Sequence, residues 1–169
     1  MKIFDEKMAK KWLKDIPLAN LNPYKLEDHF QFYEAYHLPV DTGHKTRLAR
    51  VITENINNNG FLWITDWGAW PSCNNMDLWD GYRRSLGETR CLIDSPFHLF
   101  SPNDLRIVRT LLGMSLYFFW DAILSESPYD FIINTSNDEF IDIYANSESS
   151  FNKWTNCFNE FELEKMTKK

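Results

Sequence analysis

The sequence predicts an α+β fold: one domain, residues 1–169, in which helices pack on an antiparallel sheet that ends in a three-strand meander. Three observations lead there. The spacing of apolar residues switches repeatedly between helical and alternating periods along the chain. The strand-like segments of residues 115–144 follow one another with short polar turns between them, which favours antiparallel neighbours over parallel ones joined by crossover helices. The length of 169 residues, with 44% apolar and 25% charged residues, suits a single hydrophobic core, and no linker, repeat or low-complexity tract divides it.

The elements follow in order. Phe4, Met8, Ala9, Trp12, Leu13 and Ile16 recur at helical spacing until Pro17. From Asp28 to Leu38 the period becomes two, with Phe30, Phe32, Tyr36 and Leu38 alternating with His29, Gln31, Tyr33 and His37, so a strand is expected up to Pro39. Thr42 can cap a helix that carries Leu48, Ile52 and Ile56, unwound by Asn57-Asn58-Asn59-Gly60. Phe61 to Trp67 is β-rich, and Gly68-Ala69-Trp70-Pro71 reads as a turn.

Met76, Trp79, Tyr82 and Leu86 mark a further helix closed by Gly87. Ser101-Pro102-Asn103-Asp104 has the composition of a helix start, and Gly113 follows Leu105, Val108, Leu111 and Leu112 as a stop. Leu116, Phe118, Trp120, Ala122 and Leu124 then alternate with their neighbours, which predicts a central strand over residues 114–124; a continued helix is the competing pattern. Phe131–Asn134 and Glu139–Tyr144 are the next two strands, around the polar turn Thr135-Ser136-Asn137-Asp138. Ser147 caps a last helix with Phe151, Trp154, Phe158 and Phe161 inward, and residues 165–169 are expected to be a frayed tail.

Charge is unevenly spread. The formal net charge is -6. From Thr110 to Asn152 there is no Lys, Arg or His, while Asp121, Glu126, Asp130, Asp138, Glu139, Asp142 and Glu148 all fall in that stretch. A one-sign surface attracts basic partners and repels nucleic acid. Three separated cysteines, Cys73, Cys91 and Cys157, suit a reducing compartment. No apolar run approaches the roughly 20 residues of a membrane span, and no signal peptide is visible, so a cytoplasmic protein with no membrane partner is expected.

Catalytic patterns are missing. Neither a phosphate-binding glycine loop nor a nucleophile elbow occurs. His29, His37, His44 and His98 form no metal-ligand spacing, so no metal and no cofactor are expected. His29 and His37 could share a strand face, and Asp66, Asp121, Asp138, Glu139 and Asp142 could converge on a cation or serve as acid and base. The turn before Glu139 lacks the order of a calcium loop. If Ile141 and Ile143 face the core, Phe140, Asp142 and Tyr144 share the opposite face, an aromatic–acid–aromatic surface of the kind that receives Arg or Lys. The competing arrangement has a helix covering that face. Trp63 reads as core, whereas Trp70, beside Pro71, is a candidate exposed aromatic.

Phe32-Tyr33-Glu34-Ala35-Tyr36 with Leu38-Pro39, Trp63 to Ser72, Phe119-Trp120-Asp121-Ala122 and Ser136-Asn137-Asp138-Glu139 resemble blocks of small bacterial proteins in the style of polymorphic-toxin immunity proteins. That resemblance implies a cytosolic, acidic, Trp-rich α+β domain that neutralises a basic toxin, such as a nuclease, by covering its active site. It transfers no residue set. The expected partner-binding residues, read from charge and strand pattern, are Asp121, Glu126, Asp130, Asp138, Glu139, Phe140, Asp142, Tyr144 and Trp70. A phage-type inhibitor of a nucleic-acid-binding defence protein has the same features. An enzyme with a dispersed carboxylate and histidine site is the alternative from another class, and a structural subunit is a third.

Overall fold

The computed structural model describes residues 1–67 and 74–166. Among them seven strands form one sheet, in the order β1-β4-β3-β5-β6-β7-β2, with every pair antiparallel. The strands are β1 (Lys2–Phe4), β2 (Phe32–His37), β3 (Gly60–Asp66), β4 (Phe97–Phe100), β5 (Asp121–Glu126), β6 (Phe131–Thr135) and β7 (Phe140–Ala145). The α-helices are α1 (Glu6–Leu13), α2 (Thr42–Glu54), α3 (Asn74–Ser85), α4 (Leu105–Phe118) and α5 (Glu148–Glu160). The fold is α+β, and β5, β6 and β7 are the expected meander.

The alternation of each central strand fills two cores. Leu62, Ile64, Ala122, Leu124, Phe131, Ile133, Ile141 and Ile143 face α2, α3, α4 and α5. Phe61, Trp63, Ile123, Ile132 and Tyr144 face α1 and the coil after it, through Ala9, Leu13, Leu18 and Leu26. The sheet is therefore sandwiched, and its middle strands are apolar on both sides for that reason. Trp12, Phe61, Phe97 and Tyr129 pack together on the α1 side at ring distances of 5.0–6.2 Å.

Local chemistry explains most boundaries. Asp5 caps α1 by accepting the Met8 N–H at 2.7 Å. Asp41, not Thr42, caps α2, accepting from the His44 N–H at 2.9 Å. Ser101 and Asp104 form the expected capping box, and Ser147 caps α5. Two strands went unseen in the periodicity. Phe4 belongs to β1 rather than to the first helix, and β4 is only four residues long. His29 lies before β2, which begins at Phe32, so His29 and His37 share no strand.

The larger correction concerns residues 114–124. Met114 to Phe118 continue α4, and the strand starts only at Asp121. Gly113 does not stop the helix. It sits where α4 passes α2, and a Cβ there would lie 3.7 Å from that of Ala49. The helix ends instead at Phe119, which is left-handed (φ 55°), with the Trp120 N–H bonded to Ser115 O at 2.9 Å. Lys45 of α2 is buried there, its ammonium 3.4 Å from the Phe119 ring centroid. Lys165 and Met166, at the start of the expected tail, are bonded to β2.

One group of buried polar side chains, Asp80, Arg83, Ser95 and His98, joins α3 to the segment after it. Arg83 is fully buried and donates to Ser95, with Asp80 at 3.5 Å. His98 is buried beside Trp79; burial pushes its affinity for protons down, to about 3, so it is neutral.

Candidate functional site

The antiparallel register carries three separate segments to one end of the sheet. Asp66, last in β3, is the register partner of Asp121, first in β5. The turn between β6 and β7 lies against the same corner, where the Asn137 N–H donates to Asp121 at 2.6 Å. Asp138 and Glu139 extend from that turn into solvent. Burial first, and then the charges of Asp66 and Asp138, raise the proton affinity of Asp121. Two neighbouring carboxylates thus act on Asp121 in the same direction. Among the described residues, Asp121, Asp138, Glu139 and Asp142 form no ion pair. Lys45 is the cation that acts on Glu139, and it is turned onto Phe119.

The turn itself is strained. The Ser136 N–H donates to Phe140 O and the Asp138 N–H to Ser136 Oγ, which leaves Glu139 at φ 68°. A side chain in the left-handed region costs about 1 kcal/mol, which glycine would avoid. Glu139 is exposed in that conformation.

Asp142 lies on β7, two strands from Asp121 towards the β2 edge. It is 2% exposed and accepts from Tyr33 Oη at 3.1 Å and from Asn134 Nδ2 at 3.1 Å. Burial pushes it up to about 6, against the lowering effect of those two donors, and Asp121 adds to the rise. Tyr33 is pushed up to about 12, by burial and then by Asp142. The upward shift of Tyr33 keeps the proton on its phenol, so Tyr33 is the donor to Asp142. An acid near 6 is suited to proton transfer near neutral pH, but at 2% exposure it meets no substrate in this conformation.

The other expected contact residues are placed elsewhere. Glu126 lies at the far end of β5, 3% exposed, accepting from the Asn57 and Asn58 N–H groups at 2.8 and 2.6 Å and from Lys153 Nζ at 3.1 Å. Asp130 lies at that end too, accepting from Ser147 Oγ and Ser150 Oγ at 2.6 and 2.8 Å, so it fastens the start of α5. These two carboxylates brace loops. Phe140 is half-buried. Tyr144 is 8% exposed, packed against Tyr33 and Phe30 at 4.9 and 6.0 Å between ring centroids, as the covered-face arrangement requires. Trp70 lies outside the described residues. Asn134 and Tyr33 were not singled out in the sequence; their positions opposite Asp142 in register, or diagonal to it, depend on pairings across β6, β7 and β2.

Among the described residues no group of three His, Cys, Asp or Glu side chains could hold a metal ion. No helix among them is long and apolar enough to cross a membrane. Comparison with protein-family models, with curated proteins and with solved structures gave no match.

Proposed function

We propose that this chain is a non-catalytic binding protein whose acidic corner, Asp66, Asp121, Asp138 and Glu139, receives basic side chains of a protein partner. One observation carries the reading: the strand register and the turn between β6 and β7 bring carboxylates from three segments distant in sequence to one end of the sheet. An Arg or Lys arriving from outside would relieve the mutual repulsion and bring the proton affinity of Asp121 down. Such charge speeds encounter and favours basic partners over nucleic acid. With the resemblance to immunity proteins, the partner class that fits is a basic toxin, such as a nuclease, whose phosphate-binding surface the carboxylates would occupy. An inhibitor of a nucleic-acid-binding defence protein would use the same corner.

A second reading, a carboxylate-dependent hydrolase, draws on Asp142 beside Asp121. It requires an opening that exposes Asp142, and a thermal shift on adding divalent metals or nucleotides would support it.

The test of the first reading is co-expression in a bacterial host with the product of the reading frame adjoining this chain's own. That product is expected to arrest growth and this chain to relieve the arrest. The triple variant Asp121→Asn, Asp138→Asn, Glu139→Gln is expected to relieve it less, with an association rate about tenfold lower at low salt. Equal relief by the triple variant would remove the acidic corner from the account. A neighbour that neither arrests growth nor binds would remove the toxin.

A further inference from the structure

The two edges of the sheet are closed in different ways. At one edge β1 is three residues long, and its Ile3 carbonyl accepts from the Arg90 guanidinium at 2.8 Å. Short strands and charged groups laid on an edge keep it from pairing. At the other edge β2 is six residues long, and the chain's own residues 164–166 lie along it. After α5 the backbone turns at Glu162 (φ 64°), Leu163 packs on the helix-side core, and Lys165 bridges Tyr36 antiparallel. The His37 N–H donates to Glu164 O at 2.8 Å, and the Met166 N–H to Ala35 O at 2.9 Å. Lys165 Nζ reaches Glu34 at 2.9 Å and lies 5.8 Å from the Tyr36 ring centroid.

We propose that residues 164–166 are a detachable strap, and that the β2 edge beneath them is a pairing site for β2 of a second copy of this chain. The strap is held by two backbone hydrogen bonds and by an ion pair whose lysine is exposed. Its bonds identify the outward peptide groups of β2 as those of Ala35 and His37, and by alternation of Tyr33; those of Glu34 and Tyr36 turn inward to β7. A second copy fits this edge because antiparallel pairing of a strand with itself is two-fold symmetric, so one edge serves both partners. Pairing centred on Ala35 sets Tyr33 opposite His37 of the second copy and Glu34 opposite Tyr36 of the second copy. No carboxylate then meets a carboxylate, and both pairs flanking the central Ala35–Ala35 pair carry an aromatic ring.

The experiment uses the full chain with Lys165→Glu and Met166→Pro. The first change sets a negative charge against Glu34, and the second removes the N–H that Ala35 accepts. Sedimentation equilibrium is expected to show the variant rising from one chain mass, 20.1 kDa, towards two as concentration increases, while the parent chain stays at one. Adding Ala35→Pro, which edge strands tolerate, is expected to restore the monomer, and a peptide of residues 161–169 in excess is expected to suppress the dimer. A folded variant that stays monomeric, a mass beyond two chains, or a dimer indifferent to the peptide overturns the proposal. Should the variant not fold, hydrogen exchange on the parent chain decides. The amides of His37 and Met166 are expected to exchange at similar rates, at least about 100-fold faster than that of Tyr36. Equal rates for all three would show that the strap opens only with the whole fold, and would overturn it.

Discussion

Replacing Gly60 with alanine is expected to lower the unfolding free energy by about 3 kcal/mol, close to the upper end for overpacking. Gly60 opens β3 and is paired with Phe100 of β4 and Glu126 of β5. A Cβ on it would collide with Ser125 O, stand 2.5 Å from Phe100 Cζ and 3.0 Å from Glu126 Cα. Two of these three atoms are backbone in a strand held on both sides, so neither can retreat without breaking the ladder. The third is a ring in the helix-side core. Moving β5 would also pull Glu126 off the Asn57 and Asn58 N–H groups. Urea unfolding measures this as a lower midpoint with an unchanged slope. A loss under about 0.5 kcal/mol, the range of an ordinary surface substitution, would mean that the approach of β3 to β5 is looser than described.

The second large effect has the opposite sign. Asp142→Asn is expected to stabilise the protein by about 2 kcal/mol at pH 8, an effect that fades as the pH falls towards 4. The folded-state affinity of Asp142 for its proton is raised from 3.8 to about 6. Below about pH 4 the group is protonated in both states, and its contribution to stability is fully present. As the pH rises through about 6, the unfolded chain has already released the proton and the native state must give it up in a buried place, so that contribution is lost. About two units at 1.36 kcal/mol each amount to roughly 3 kcal/mol, from which the weaker hydrogen bond from Tyr33 to a neutral acceptor subtracts about 1. Asparagine keeps an oxygen for Tyr33, and Asn134 can present its own oxygen to the new amide. Paired unfolding curves at pH 4, 6 and 8 test this. A variant destabilised equally at all three would show that the ionised Asp142 is satisfied in the fold.

These two residues mark what the sequence makes legible. The period-two pattern of Glu139 to Tyr144 correctly sets Asp142 opposite Ile141 and Ile143. Whether that face is open depends on α1 and the coil after it folding back over Tyr144, a contact between residues more than 100 positions apart that no local pattern carries. The acidic stretch was equally plain, yet its members divide by strand direction. Asp121 starts β5 and Glu126 ends it, so the two cannot share a surface. The overrun of α4 to Phe118 has a local cause: Leu111, Leu112, Ser115 and Leu116 keep helical spacing while Leu116, Phe118 and Trp120 also alternate, and only the left-handed Phe119 separates the two patterns. β4 escaped notice because four residues are too few for a period to show.

The central claim is that the corner of Asp66, Asp121, Asp138 and Glu139 is where a cationic partner lands. The most direct measurement is an NMR titration of the protein with octa-arginine, followed at every backbone amide in 0.1 M and in 1 M salt. The Debye length falls from about 10 Å to about 3 Å between these conditions. The account predicts shifts concentrated at Asp66, Asp121 and residues 137–139, abolished in 1 M salt and in the Asp121→Asn, Asp138→Asn, Glu139→Gln variant. Shifts spread evenly over exposed carboxylates such as Glu6, Glu27 and Glu160, or left unchanged in that variant, would contradict it.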